Sequence, residues 1–211
     1  MNCVKEIPPT GLYAITPAGW PEAALIEAVT QALKGGAVMV QYRDKPRPHE
    51  PLARQLLNHC RRMNVPLIIN DDVELARRID ADGVHLGRDD VDPESARNRL
   101  GEKAIIGVSC YNDLERAARL AAKPVDYLAF GSVFASPTKP EAVTCPGDVL
   151  TEAGRFGKPV VAIGGVNIEN APRAIAAGAD LLAVISDLFE ADDIRARAHQ
   201  YQQLFQRTLK P

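Results

Sequence analysis

The stretch LIINDD at residues 67–72 decides how the rest of the chain is read. Leu67, Ile68 and Ile69 form a short apolar run, the mark of a strand buried on both faces. The run empties into Asn70, Asp71 and Asp72, and a helix-like segment, VELARRI, begins at Val73. Parallel α/β folds keep their chemistry at the C-terminal ends of their strands. An amide and two carboxylates placed there are hard oxygen ligands, suited to Mg²⁺ or Ca²⁺ rather than Zn²⁺. Taken alone, the segment fits a plainer reading equally well, with Asp72 capping the helix and Asp71 solvated. A second copy tips the balance: GVHLGRDD at residues 83–90 again runs an apolar strand into paired acids. Asp71 and Asp90 are expected to face each other across neighbouring strand ends and to hold one divalent ion.

Working outward, the same alternation fills the chain. Strand signals fall at GLYAIT (11–16), AVMVQY (37–42), LIIN, GVHL (83–86), AIIGVS (104–109), YLAFG (127–131), VVAIGGV (160–166) and LLAVIS (181–186). Helical spacing separates them, for example Leu25, Ile26, Val29 and Leu33 ahead of Gly35 and Gly36. Helices are expected over 49–63, 93–100, 112–122 with Asn112 as N-cap, 148–156, 167–177 and 191–209. Eight strands alternating with helices, with no linker or composition break, predict a parallel sheet. In this length they predict a single closed (β/α)₈ TIM barrel over residues 1–211. An open doubly wound sheet is disfavoured, because no Gly-x-Gly-x-x-Gly follows the first strand.

Composition removes several function classes. With 211 residues and 46% hydrophobic content, the chain can bury a substantial core. A net charge of -2 and a pI of 6.1 give no electrostatic reason to expect nucleic acid or a membrane surface. No stretch is long and apolar enough to span a bilayer, and MNCVKEIPP lacks a signal-peptide core. Cys3, Cys60, Cys110 and Cys145 are widely spaced and read as reduced thiols of a cytoplasmic protein. The sequence carries no signal for oligomeric state.

The strand ends then supply candidate sites. Gln41, Arg43 and Lys45 alternate and so project together from the end of the second strand, a pattern for an anion. His85 is read as a hydrogen-bonded interior residue, since no second His stands at ligand spacing. Ser109 ends the inward face of the fifth strand and is a ligand contact, with no nucleophile elbow around it. The segment 132–146 has no clear period and three prolines. Long aperiodic loops in compact domains are commonly functional, and Ser136, Thr138 and Lys139 read as a phosphate-binding lid; a surface insertion is the alternative. Gly164-Gly165 and Ile185-Ser186 follow strands seven and eight, where such barrels cradle a phosphate. A tight turn needing positive φ is the plainer account of the two glycines.

One monophosphate cradle and one metal-and-cation site at the same rim suit a diphosphate leaving group better than a single phosphate. At an effective dielectric of about 20, a charge pair at ~4 Å contributes roughly 4 kcal/mol before desolvation. No Ser/His/Asp or Cys/His arrangement is present. The chemistry expected is direct transfer between two bound, phosphorylated small molecules.

The set QYRDK, IINDD, DGVHLGRDD, GVS, FGSVFASPTKP, AIGGVNIENAP and LLAVIS resembles the thiamine-phosphate synthase family, in order and over nearly the whole chain. The resemblance implies a transferase of thiamine biosynthesis, joining hydroxymethylpyrimidine diphosphate to hydroxyethylthiazole phosphate with Mg²⁺. It implies a dissociative route in which diphosphate leaves before the thiazole nitrogen attacks. By the same resemblance Gln41, Arg43, Lys45, Asn70, Ser109 and Lys139 contact the pyrimidine diphosphate, and Asp71 and Asp90 bind Mg²⁺. Ser136, Thr138, Gly165, Ile185 and Ser186 hold the thiazole phosphate. Two departures stand out. The lid reads Ser136-Pro137-Thr138-Lys139 where the family commonly has Thr-x-Thr-Lys. Asp187 follows Ser186 directly, so its carboxylate must point away if a phosphate is to bind. A thiazole tautomerase-like barrel and a non-catalytic phosphate-ligand sensor are the rival readings. Lys45, Asp71, Asp90 and Lys139 together argue against the tautomerase, which needs no metal–diphosphate centre.

Overall fold

Eight parallel strands close on themselves in sequence order, β1 pairing with both β2 and β8. They are β1 (Gly11–Ile15), β2 (Met39–Tyr42), β3 (Leu67–Asn70), β4 (Gly83–Leu86), β5 (Ile105–Tyr111), β6 (Tyr127–Phe130), β7 (Val160–Ile163) and β8 (Leu181–Val184). The coordinates come from a computed structural model, which describes residues 6–45, 48–135 and 147–208. Helices α1 (Glu22–Lys34), α2 (Glu50–Arg62), α3 (Val73–Ile79), α4 (Pro93–Leu100), α5 (Leu114–Ala121), α6 (Gly147–Ala153) and α7 (Ala171–Ala176) fill the crossovers. A short α8 (Ser186–Phe189) and the closing α9 (Ile194–Thr208) follow β8.

The strands sort their side chains by alternation, as pleating requires. Tyr13, Ile15, Met39, Ile68, Ile105, Tyr127, Ala129, Val161, Leu181 and Ala183 fill the barrel interior. Their neighbours Leu12, Ala14, Val40, Tyr42, Leu67, Ile69, Val84, Ile106 and Leu182 face the helices in the second, larger core. The interior holds large rings only because glycine makes room. A Cβ on Gly107 would lie 1.8 Å from the Tyr127 ring, so that ring crosses the barrel where a side chain would otherwise sit.

Helix boundaries follow local capping. Asp72 caps α3, its carboxylate accepting from Leu75 N at 2.8 Å. Asp113, not Asn112, caps α5 by accepting from Arg116 N. The expected start of the seventh helix at Asn167 moves to Ala171, because Asn167 Oδ1 accepts from the amides of Glu169 and Asn170 in a turn.

At the N-terminal rim one device recurs. Asp82, Asp126 and Asp180 each precede an even-numbered strand, and their carboxylates accept from the amides of Leu67, Ile106 and Val160 at 2.7–2.8 Å. Each also donates its own amide back across the pair, to Leu67 O, Ile106 O and Val160 O. The buried amides at the start of β3, β5 and β7 are thereby satisfied.

Candidate active site

The C-terminal rim is assembled from strand ends that other polar groups lock in place. Thr16, fully buried just past β1, accepts from Arg43 N at 2.9 Å and donates to Arg43 O at 3.3 Å. Beyond β2, Tyr42 Oη donates to Asp44 and accepts from His49 N, while Asp44 accepts from Gly19 N. These contacts fix the backbone that carries Arg43 and Lys45. Gln41 points into the barrel and is 2% exposed. Gln41 therefore lies inside, and Arg43 and Lys45 follow it along the chain beyond the end of β2.

Lys45 reaches across to β3: its Nζ lies 2.8 Å from Asp71 Oδ2. Asp71 has φ of 62°, a left-handed conformation that Asp tolerates better than most residues. Its amide donates to His85 O at 2.8 Å, which aims the carboxylate along the rim. Asp90 comes from the β4 turn, where Gly87 N donates to its Oδ2 at 2.6 Å. Burial, and then contact with the Asp71 carboxylate, raise the Asp90 pKa, against the lowering pull of Gly87 N–H and Lys45. The two acids thus meet at adjacent strand ends, as expected. Among the described residues no group of three or more His, Cys, Asp or Glu surrounds a common point. Two adjacent carboxylates, the Asp90 proton affinity raised in part by Asp71, are hard oxygen donors of the kind that would suit one divalent ion, with substrate oxygens or water completing its shell.

Inside the rim runs a chain of polar contacts that sequence reasoning did not assemble. Gln41 Nε2 donates to Tyr13 Oη at 2.7 Å, and Tyr13 Oη meets Tyr127 Oη at 2.9 Å. Tyr127 Oη lies 2.9 Å from His85 Nδ1, and His85 Nε2 lies 2.9 Å from Ser109 Oγ. His85 is an interior hydrogen-bonding residue, as the lack of a partner His implied. Burial pushes its pKa down to about 4, against the raising effect of the Asp71 charge. Asn70 sits beside His85 in the β3–β4 register.

Across the barrel mouth lie the remaining candidates. Gly164 and Gly165 both have positive φ, 94° and 65°. A Cβ at Gly165 would meet the carbonyl oxygens of Phe134 and Ala135 at 2.5 Å, and one at Gly164 the Ser132 hydroxyl at 2.2 Å. Turn geometry and close packing against the segment after β6 both require glycine here. Asn170 holds the turn by donating Nδ2–H to Gly165 O at 2.8 Å. Ile185 precedes α8, and its carbonyl accepts from Leu188 N and Phe189 N, with Ser186 as the first helical residue. Asp187 turns outward: its carboxylate accepts from Arg197 at 2.5 Å and Tyr201 Oη at 2.7 Å, both on α9. Its charge is paired with a cation and directed away from the rim, which removes the conflict with an anion beside Ser186. Ser136, Thr138 and Lys139 lie outside the described residues. Cys60 and Cys110 are buried reduced cysteines, and Cys3 and Cys145 fall outside the described residues.

The family model for thiamine monophosphate synthase matches residues 12–188. The chain is 51% identical to a thiamine-phosphate synthase of Azoarcus sp. (strain BH72) over 92% of this chain and 97% of that one. It is 50% identical to one from Chromobacterium violaceum over 89% and 92%. Among solved structures, thiamine phosphate pyrophosphorylase from Pyrococcus furiosus superposes with a TM-score of 0.83 at 33% identity, over 95% of this chain and 97% of that one. KGPDC from Streptococcus mutans, at 12% identity and a TM-score of 0.73, shares the fold. With a family match over residues 12–188 and relatives about half identical over nearly the whole chain, the chain belongs to the thiamine monophosphate synthase family.

Proposed function

We propose that this chain joins hydroxymethylpyrimidine diphosphate to hydroxyethylthiazole phosphate, giving thiamine phosphate and diphosphate. The observation that carries the reading is the Lys45–Asp71 pair beside Asp90. A cation and two acids at one rim suit a diphosphate and its metal, and the glycine turn and α8 at the same rim suit a second, monophosphate group.

In this reading Gln41, Arg43, Lys45, Asn70, Ser109 and Lys139 bind the pyrimidine diphosphate. Ser136, Thr138, Gly165, Ile185 and Ser186 bind the thiazole phosphate. Asp71 and Asp90 hold Mg²⁺, which when bound neutralises diphosphate oxygens. Arg43, Lys45 and Lys139 offset the charge that grows on the diphosphate as the methylene C–O bond breaks. The thiazole nitrogen then supplies the electron pair for the new C–N bond, and no proton need move. That balance agrees with a neutral His85. We further read residues 1–211 as one domain acting in the cytoplasm on two small molecules, with neither nucleic acid nor membrane as partner; the reduced state of Cys60 and Cys110 supports that compartment.

The test is a diphosphate-release assay with both substrates and Mg²⁺. Release that needs both substrates supports the proposal. Isomerisation of a thiazole without diphosphate release would favour a tautomerase, and binding without turnover a sensor.

A further inference from the structure

We propose that His85 is a positioning residue: a buried hydrogen-bond chain starting at Gln41 fixes it as the Nε2–H tautomer, and so leaves the Ser109 hydroxyl free to donate to the substrate. The contact between Ser109 and the pyrimidine diphosphate rests on the function proposed above; the polarity of the chain does not.

A count of protons sets the polarity of these contacts. Gln41 presents Nε2 to Tyr13 Oη at 2.7 Å, so Tyr13 accepts there. Tyr13 is 1% exposed and Tyr127 0%, so neither hydroxyl can turn to bulk water. The Tyr13 proton goes to Tyr127 Oη, the other oxygen within reach at 2.9 Å. Tyr127 must then donate to His85 Nδ1 at 2.9 Å. A neutral imidazole carries one N–H, which is left on Nε2 and faces Ser109 Oγ at 2.9 Å. Ser109 accepts, and its own proton remains for a group at the barrel mouth. The opposite polarity would turn the Ser109 proton back onto His85 and leave Ser109 only an acceptor. A Ser109 lone pair would then face an oxygen of an anionic ligand, a repulsive contact.

Packing keeps the chain from reorganising. Tyr13 and Tyr127 pack edge to face at 6.0 Å, and the His85 and Tyr127 rings lie 17° from parallel. Gly107 leaves the space that Tyr127 occupies. Arg116 holds the backbone of Ser109 by donating Nε–H to its carbonyl at 2.8 Å.

The first measurement is made on the unmodified, ligand-free protein: the two ring-nitrogen resonances of ¹⁵N-labelled His85. A protonated-type signal at Nε2 and a bare-type signal at Nδ1 are expected; the proton on Nδ1 would overturn the proposal. The second is kinetic. Tyr127→Phe should raise the KM for the pyrimidine diphosphate about tenfold, the effect of one weakened hydrogen bond, and leave the KM for the thiazole phosphate unchanged. In a Ser109→Ala background the same change should add nothing. A further, additive loss there would assign Tyr127 a merely structural role and overturn the relay. If Ser109→Ala alone left both KM values unchanged, the substrate contact assigned to Ser109 would fail and the relay would have no output, whichever tautomer the nitrogen signals reveal.

Discussion

At the scale of single residues, Asp71 and Asp90 are the sharpest test of the proposed metal. Asp71 holds φ of 62°, so its replacement should respect the backbone. Asn tolerates that conformation and Ala does not, which makes Asp71→Asn the clean probe. Asp71→Asn and Asp90→Asn are expected to cut turnover by roughly 10²–10³-fold, as the loss of one electrostatic stabiliser does. Neither should shift the melting temperature by more than a surface change does, within about ±0.5 kcal/mol. Chelation of Mg²⁺ should stop the unmodified enzyme and be reversed by adding the ion back. Full activity in chelator, in an assay of diphosphate release, would remove the metal from the scheme. Lys139→Ala is expected to lower turnover by a similar factor with the melt unchanged, since a cation that meets the departing diphosphate acts mostly in the transition state. By contrast Gly165→Val is a poor probe of phosphate binding. Its side chain would strike the carbonyls of Phe134 and Ala135, so folding and binding would fail together.

At the scale of elements, α8 is too short to hold itself in place and is fastened to α9 by one carboxylate. Asp187 bonds Arg197 and the fully buried Tyr201, which stand four residues apart on one face of α9. The Arg197 pKa rises chiefly through its hydrogen bond to Asp187. Asp187→Ala would leave the Tyr201 hydroxyl buried without its acceptor and Arg197 without its counter-charge. A loss of about 2–4 kcal/mol is expected, read by denaturant melt. The KM for the thiazole phosphate should rise alongside, because Ser186 rides on the same turn. An unchanged KM at a temperature where the variant is folded would separate α8 from the phosphate site. The sequence made the strands, the alternation within β2 and the paired acids legible, because each is a local pattern of period two or a strand end. It did not show where Asp187 points, since the partners lie ten and fourteen positions away on another helix. The Gln41–Tyr13–Tyr127–His85–Ser109 chain was hidden for the same reason. Its members come from five different strands, and only barrel closure brings them together. Cap positions slipped where two polar residues adjoin, as at Asn112 and Asp113, since either side chain suits the role and backbone geometry chooses.

At the scale of the whole molecule, the aspartates that secure sheet closure and the proposed chemistry sit at opposite rims of the barrel. Asp82, Asp126 and Asp180 tie the starts of β3, β5 and β7 to the strands that follow, so the closure of the sheet is secured far from Lys45 and Asp71. Asp126 carries a second duty. Its Oδ2 lies 2.7 Å from Arg97, which is 7% exposed and also donates to the carbonyls of Gly101, Glu102, Ala104 and Pro124. A guanidinium buried this far needs its counter-charge as well as its carbonyls. Replacing Asp126 by Ala therefore strips the Ile106 amide of β5 of its acceptor and leaves a buried cation uncompensated, with an expected cost of about 3–5 kcal/mol. Asp180→Ala removes an amide acceptor without that cation and should cost less, about 1–3 kcal/mol. Both variants should keep the wild-type turnover number when assayed well below their melting temperatures, because neither aspartate reaches the C-terminal rim. Equilibrium denaturation beside a saturated steady-state assay decides the matter. Equal destabilisation by the two changes would deny Asp126 its hold on Arg97, and a drop in turnover in the folded Asp180 variant would mean that the two rims are mechanically coupled.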